Sequence, residues 1–186
     1  MTLGVAYETH ITIDPQHQLD ACRNYCTDHT LKWTVIELAV GMHTVQPMAT
    51  FWGEGTIADQ VDRARTISRH IEAAGGRVVR VKVEAGSNHP AVDGGYAETH
   101  IKLRLAESDI EPVAAIAAQH RGRLSRNARR TLHDGTCERF ITQRPTGSQQ
   151  QALQELLDAL VDYEVLETEV EQVVYDSDVA LDAGWF

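Results

Sequence analysis

The tetrapeptide Glu8-Thr9-His10-Ile11 occurs again ninety residues later as Glu98-Thr99-His100-Ile101. Each copy opens a stretch in which apolar and polar residues alternate, as they do in a half-buried β-strand. Apolar positions elsewhere keep the same spacing of ninety, for example Val83 and Val173. A repeat that preserves the apolar pattern over this distance predicts an internal duplication.

Each half of the chain predicts the same order of elements. In the first half the expected strands and helices are strand 7–13, helix 16–29, strands 33–40 and 47–52, a helix after Thr56, and strand 78–83. In the second half they are strand 97–105, helix 108–120, strands 124–132 and 137–143, a helix after Ser148, and strand 165–175. This β-α-β-β-α-β order is that of ferredoxin-like domains.

The predicted fold class is therefore α+β, with two fused ferredoxin-like repeats related by internal pseudo-two-fold symmetry. The turn-rich segment GSNHPAVDGG marks the junction between them, because Gly, Pro and Asn favour turns. We predict a first repeat at residues 1–86, a linker at 87–95, and a second repeat with a C-terminal tail at 96–186.

Composition excludes several classes of function. The formal net charge of −10 argues against general nucleic-acid binding. No apolar run approaches the roughly 18–20 residues of a membrane-spanning helix, and the start of the sequence lacks a secretory signal pattern. Three cysteines in a chain of 186 residues do not suggest a disulfide framework. We expect a cytoplasmic protein with no membrane and no nucleic-acid partner.

The positive charge is concentrated in one segment. Residues 121–144 contain seven arginines against Asp134 and Glu138, whereas residues 145–186 contain no Lys or Arg. Guanidinium groups recognise phosphates and carboxylates in a bidentate manner. This composition indicates a small anionic ligand, with internal charge pairing as the alternative interpretation. The arginines predicted to bind the ligand are Arg126, Arg129, Arg139 and Arg144.

The repeated strands predict a paired polar site. Alternation places Glu8 and His10 on one face of the first strand, and Glu98 and His100 on the corresponding face of the other. We expect the helices to cover the opposite, apolar faces. A histidine beside a carboxylate suits acid–base catalysis or metal ligation. The four residues are therefore the predicted catalytic groups, and we expect the two pairs to share a site.

The sequence His10-Ile11-Thr12-Ile13 resembles the H-x-T-hydrophobic signature of the 2H phosphoesterases, which are bilobal, duplicated proteins. That resemblance implies that His10 and His100 act as general base and general acid while hydroxyl groups hold the phosphate. Thr12 matches the hydroxyl position. Lys102 stands in its place in the second copy, where an ammonium group could hold phosphate as a point charge.

Nearly the whole chain also resembles a mainly bacterial family of duplicated α+β proteins that has no established activity. The segments that carry this resemblance are the two E-T-H strands, Gln46-Pro47-Met48, Ser125 to Arg129, Glu138 to Arg144, Val174 to Asp178, and the Leu181 to Trp185 tail. The resemblance implies a fold and no substrate.

Three functional hypotheses follow. The first is binding of a small phosphate- or carboxylate-containing metabolite, with phosphoesterase-type hydrolysis as an extension of it. The second is a non-enzymatic interaction module, which includes a homodimer. The third is a divalent-metal protein with ligands from His10, His100, Glu8 and Glu98 and from His43 in a loop. No contiguous metal motif is present, so the sequence assigns neither a metal nor a cofactor.

Overall fold

The computed structural model describes residues 5–126 and 130–185. The chain forms two compact units. Within the described ranges, unit 1 contains residues 5–36, 45–96 and 172–181, and unit 2 contains residues 37–44, 97–171 and 182–185. Each unit is therefore discontinuous in sequence. The predicted repeat boundaries describe an internal duplication. A division of the chain by contacts does not test a duplication, so these boundaries stay a prediction.

Unit 1 is built on the first half of the chain. Its elements are β1 (Ala6–Ile13), α1 (Leu19–Asp28), β2 (Lys32–Glu37), β3 (Val45–Glu54), α2 (Ile57–Ala73) and β4 (Val78–Gly86). The strand order is β2-β3-β1-β4, and β1 is antiparallel to both β3 and β4. The last part of strand β9 (Glu164–Asp176) follows β4 in this order.

Unit 2 is built mainly on the second half. The elements of this half are β5 (Tyr96–Leu105), a 3₁₀ turn (Glu107–Asp109), α3 (Ile110–Gln119), β6 (Gly122–Leu124), β7 (Arg130–Thr131), β8 (Cys137–Gln143), α4 (Gln149–Ala159), β9, and a second 3₁₀ turn (Val179–Asp182). Strand β5 lies between β9 and β8, and β6 and β7 both pair with β8.

In each unit the helices pack on one face of the strands. Ile11 and Ile13 of β1 contact Cys22 and Cys26 of α1 and Ile71 of α2 in the core of unit 1. In unit 2, β5 contributes Ile101, Leu103 and Leu105, and the helices contribute Val113 and Leu156. The α+β class is confirmed, and the order of elements is consistent with ferredoxin-like folds. The internal duplication stays a prediction.

The predicted helix starts at Thr56 and Ser148 are confirmed. The Thr56 hydroxyl accepts from the backbone N–H of Asp59, and the Asp59 carboxylate accepts from the backbone N–H of Thr56, which forms a capping box at α2. Ser148 caps α4 through the backbone N–H of Gln151. These bonds satisfy amide groups that have no partner inside the helix.

Two elements are shorter than predicted. Helix α1 begins at Leu19 rather than residue 16, because Asp14 accepts the N–H of Gln16 in a turn and Gln18 has a positive φ of 24°. Strand β2 ends at Glu37 rather than Val40, because the chain turns back when the N–H of Leu38 bonds to the carbonyl of Thr44.

The predicted strand 124–132 is wrong. Strand β6 ends at Leu124, and Ser125 forms an isolated bridge with Leu38. The chain leaves the ladder here because the N–H of Arg126 bonds to the carbonyl of Glu37, and the guanidinium of Arg139 bonds to the carbonyls of Ser125 and Arg126. Strand β7 resumes at Arg130, and residues 127–129 lie outside the described residues.

Trp185 in the C-terminal tail is buried, with 3% of its surface exposed, and Phe186 lies outside the described residues. None of the helices in the described ranges combines the length and the apolar character that a bilayer crossing requires.

Candidate functional site

The polar residues of β1 form a row on the face opposite the helices of unit 1. The strand register places Glu8, His10 and Thr12 across from Glu84, Lys82 and Arg80 of β4, and across from Trp52, Thr50 and Met48 of β3. Although no helix of unit 1 packs on this face among the described core clusters, Arg80 is only 4% exposed and Glu84 only 2%. The lack of a helix therefore does not leave these two side chains exposed.

His10 is held at both ring nitrogens. Its Nδ1 lies 2.8 Å from the hydroxyl of Thr50, and its Nε2 lies 2.7 Å from Oε2 of Glu84. Glu8 approaches the same Nε2 at 3.8 Å. The neighbouring strands thus fix the orientation of the ring and set two carboxylates around one nitrogen.

Each of these two glutamates also has a lysine. Lys82 Nζ lies 2.6 Å from Oε1 of Glu84, and Lys32 Nζ lies 3.8 Å from Oε1 of Glu8. Both of these carboxylates therefore lie close to a lysine ammonium.

His100 repeats the pattern in unit 2. Its Nδ1 lies 3.1 Å from the hydroxyl of Thr142, the residue directly across from it on β8. Its Nε2 lies 3.2 Å from Oε2 of Glu171 and 3.7 Å from Oε2 of Glu98. The side chain of Glu171 is 10% exposed and that of Glu98 is 1% exposed. A second histidine is thus held between a threonine and two nearly buried carboxylates.

An arginine lies beside one of the carboxylates around His100. Arg144 donates to Glu98 over 2.6 Å and also to Asp182. One guanidinium therefore serves two carboxylates, and Glu171 faces His100.

The structure gives three groups that the sequence had not placed at the site. Glu84, Thr50 and Thr142 contact the two histidines, and the signal that could have revealed Glu84 is its position two residues after Lys82 on the same strand face. The offset of ninety fails for these partners, because it would pair Glu84 with Val174 and Thr50 with Phe140.

The residues predicted to bind an anion lie in different surroundings. Lys102 pairs with Glu138 at 2.9 Å, Arg139 donates to backbone carbonyls, and Arg144 pairs with acids. Thr12 is 3% exposed, Arg126 is exposed, and Arg129 lies outside the described residues. The prediction that these groups share one ligand stays a prediction.

His43, the loop residue in the metal hypothesis, is exposed and lies in segment 37–44 of unit 2. The three cysteines are free and buried, and Cys22 and Cys26 lie in the core of unit 1. They contribute no group to either histidine set. The first set is His10 with Glu8, Glu84 and Thr50, and the second is His100 with Glu98, Glu171 and Thr142.

Comparisons with known protein families found no match, and a search of curated proteins found none either. Among solved structures, the chain is similar to a candidate glycine cleavage system transcriptional repressor, with a TM-score of 0.33 and 13% identity over 92% of this chain and 98% of that one. It is similar to the acetolactate synthase small subunit from Thermotoga maritima, with a TM-score of 0.30 and 11% identity over 92% and 96% of the two chains.

A chlorite dismutase mutant from Candidatus Nitrospira defluvii gives a TM-score of 0.32 and 7% identity over 92% of each chain. Likenesses of this size carry no argument about the activity or the ligand of this chain.

Proposed function

We propose that this protein binds a divalent transition-metal ion through His100, Glu171 and Glu98 in unit 2. The observation that carries the proposal is the placement of His100 Nε2 at 3.2 Å from Glu171 Oε2 and 3.7 Å from Glu98 Oε2. The ring nitrogen and the Glu171 carboxylate offer ligand atoms within 4.8 Å of each other.

These distances suit a shared ion. A ligand bond of about 2.1 Å and bond angles between about 90° and 109° separate neighbouring ligand atoms by about 3.0–3.4 Å. The 3.2 Å between His100 Nε2 and Glu171 Oε2 falls in this range. Glu98, whose Oε2 lies 3.7 Å from the same ring nitrogen, is the third ligand that we propose.

The chemistry of the ligands favours zinc, manganese, iron or cobalt. An imidazole with carboxylates suits these ions, whereas calcium and magnesium prefer oxygen ligands alone. A neutral His100 that donates its Nδ1–H to Thr142 presents the Nε2 lone pair to the ion, and outer hydrogen bonds of this kind orient metal-binding histidines. Three protein ligands leave coordination positions for water or a substrate.

The other hypotheses receive less support. Anion binding would have to compete with the bonds that Arg144 and Arg139 already make. In the phosphoesterase mechanism His10 would exchange a proton with substrate, but its two ring nitrogens already face Thr50 and Glu84. An interaction module or a homodimer explains no feature of the histidine sets.

We further propose that the two halves descend from one duplicated unit and that the protein works in a reducing cytoplasm. The shared order of elements and the threonine directly across from each repeated histidine support the first proposal. Three free cysteines support the second.

The test is metal binding by the full chain. Purified protein is stripped with chelator and titrated calorimetrically with Zn²⁺, Mn²⁺ and Co²⁺, and Co²⁺ binding is followed by its visible spectrum. We expect one ion per chain and a loss of at least about 100-fold in affinity for His100→Ala and for Glu171→Gln, since outer-shell changes alone cost 10–100-fold.

His133→Ala and Glu155→Gln are matched controls, because both residues are exposed, and they should bind as the wild type does. The same titrations with inorganic phosphate test the anion hypothesis. A wild type that binds none of the three metals, or a His100→Ala variant that binds them unchanged, would overturn the proposal.

A further inference from the structure

Arg144 joins one ligand of the proposed metal site to the C-terminal tail. Its Nε donates to Oε1 of Glu98 over 2.6 Å, and its Nη2 donates to Oδ2 of Asp182. The side chain of Glu98 is 1% exposed and that of Asp182 is 8% exposed. Two nearly buried carboxylates therefore share one guanidinium, which the planar fork of an arginine allows.

The second of these carboxylates belongs to a docked stretch of the chain, residues 182–185, which we call the tail segment. The N–H of Met42 bonds to the carbonyl of Ala183 over 3.2 Å, and Trp185 is buried. Gly41 has a φ of 112°, and a Cβ built on it would lie 3.4 Å from the carbonyl oxygen of Ala183. The loop that contains Gly41 and Met42 therefore packs directly against the tail segment.

The two oxygens of the Glu98 side chain have different neighbours. Oε1 accepts from Arg144, whereas Oε2 lies 3.7 Å from Nε2 of His100. The backbone carbonyl of Glu98 accepts from the side-chain amide of Gln149 over 3.2 Å. The bond from Arg144 to Oε1 thus turns Oε2 toward the ring nitrogen, as a ligand carboxylate requires. Outer hydrogen bonds of this kind orient metal-binding carboxylates.

We infer that Arg144 is a positioning residue for Glu98 and that docking of the tail segment regulates the metal affinity of the site through Arg144. This inference rests on the proposed function, because it concerns the regulation of that same site. With the tail segment docked, Asp182 holds the guanidinium where it orients Glu98. When the segment undocks, Arg144 loses the Asp182 carboxylate, Glu98 is less well oriented, and the affinity for the metal falls.

Positioning and simple electrostatics predict opposite effects of removing Arg144. A positive charge beside the site repels a divalent cation, so its removal would by itself strengthen metal binding. If Arg144 orients Glu98, its removal weakens binding about 10–100-fold. Arg144→Lys separates charge from geometry, because an ammonium keeps the charge but lacks the fork that reaches both carboxylates. We expect Arg144→Lys to weaken binding as Arg144→Met does.

The test compares affinities for Zn²⁺ and Co²⁺ by calorimetric titration of the full chain. We expect binding about 10–100-fold weaker than wild type in Arg144→Met and Arg144→Lys, and also in Trp185→Ala, which removes a buried ring and loosens the tail segment. The double variant Arg144→Lys/Trp185→Ala should bind no more weakly than Arg144→Lys, because both changes act through one contact. Circular dichroism checks that each variant is folded.

Arg121→Lys and Arg121→Met are the matched controls. Arg121 is an exposed arginine of the same unit that donates to the hydroxyl of Thr146, so both variants should bind as the wild type does.

Hydrogen exchange gives a second readout, because metal binding must favour docking by the same factor by which docking favours metal binding. The N–H of Trp185 bonds to the carbonyl of Asp182 and exchanges when the tail segment opens. Saturating Zn²⁺ should slow this exchange about 10–100-fold in the wild type and leave it unchanged in Arg144→Lys. The N–H of Leu160, which bonds to the carbonyl of Leu156 in α4, is the reference, and an equal slowing there would contradict a specific effect on the tail segment.

Wild-type affinity in both Arg144 variants, or tighter binding by Arg144→Met, would overturn the inference and leave the proposed function standing. Weaker binding by the Arg144 variants with unchanged binding by a folded Trp185→Ala would overturn the regulation by the tail segment. A wild type that binds neither metal would overturn both proposals.

Discussion

Arg80 and Asp176 lie 96 positions apart in the sequence and form a two-point ion pair inside unit 1. The Nε of Arg80 donates to Oδ1 of Asp176 over 2.9 Å, and Nη2 donates to Oδ2 over 2.5 Å. The hydroxyl of Tyr96 donates to the same Oδ2 over 2.6 Å. The side chains of Arg80 and Asp176 are 4% and 2% exposed, so this pair joins the end of β9 to β4 out of contact with bulk water.

Replacing Asp176 with alanine should lower the free energy of unfolding by about 3–5 kcal/mol, because it leaves the guanidinium of Arg80 buried without its carboxylate. Urea unfolding followed by circular dichroism measures the change. Asp62→Ala removes a carboxylate from the exposed pair with Arg65 and should cost less than about 1 kcal/mol. Equal losses in the two variants would contradict the interpretation.

The same carboxylate predicts a pH dependence of stability. Burial alone would raise the pKa of Asp176, but the hydrogen bonds from Arg80 and Tyr96 and the charge of Arg80 outweigh it and hold the pKa below 3.8. A carboxyl group whose pKa is lower in the folded state stabilises the fold at a pH above its unfolded pKa. This contribution is lost as the pH falls through the folded pKa.

The difference in unfolding free energy between wild type and Asp176→Asn should therefore be constant above about pH 5 and shrink below about pH 4. Urea titrations at a series of pH values measure it. If this free-energy difference grew as the pH fell, the pKa of Asp176 could not be lowered in the folded state.

Cys22 and Cys26 should be inert thiols in the folded protein. Both are fully buried; burial raises the pKa of Cys22, and burial together with the neighbouring Cys22 raises that of Cys26 to about 11. Since the thiolate is the reactive form, a thiol reagent at pH 8 should label neither residue in native protein and both in urea. Mass spectrometry of the digest identifies the labelled positions, and rapid native labelling of either cysteine would refute this.

Thr9 and Thr99 occupy the buried face of the two repeated strands, and their hydroxyls have no hydrogen-bond partner within the described part of the chain. A buried hydroxyl without a partner is unfavourable, so Thr9→Val and Thr99→Val should each raise the free energy of unfolding by about 1 kcal/mol. Thr136→Val is the control: its hydroxyl donates to Asp134, so it should gain nothing. Urea midpoints compare the three variants.

The hydroxyl of Thr142 should strengthen metal binding at the proposed site. Thr142→Val removes the group 3.1 Å from Nδ1 of His100 and should weaken metal binding about 10–100-fold. Thr142→Ser keeps a hydroxyl and should restore most of the affinity. Calorimetric titration measures both, and unchanged binding by the valine variant would mean that the hydroxyl does not orient the ring.

The alternation of the repeated strands was sufficient to predict which side chains meet the helices. It placed Ile11 and Ile101 in the cores and left His10 and His100 on the other face. The side-chain caps at Thr56 and Ser148 could be predicted for the same reason, because they depend on a few neighbouring residues. Local patterns of this kind do not depend on the rest of the fold.

The partners of the histidines depend on long-range register, which the sequence pattern did not provide. Glu84 was missed because β4 was predicted to end at Val83, whereas it continues to Gly86 while it pairs with β1. Thr50 and Thr142 are 92 residues apart, so the spacing of ninety could not relate them. Segment 37–44 joins unit 2 through contacts distant in sequence, which no local pattern indicates.

Because the units are discontinuous in sequence, unit 1 cannot complete its fold until most of unit 2 has been synthesised. Unit 1 needs residues 172–181, and residues 97–171 of unit 2 are synthesised before them. At translation rates of 5–20 residues per second, the synthesis of residues 97–171 takes roughly 4–15 s. Unit 1 lacks its last strand during this time. Synthesis of unit 1 therefore begins first, but its folding is completed late. Until β9 has been synthesised, β4 is an unpaired edge strand of the nascent chain.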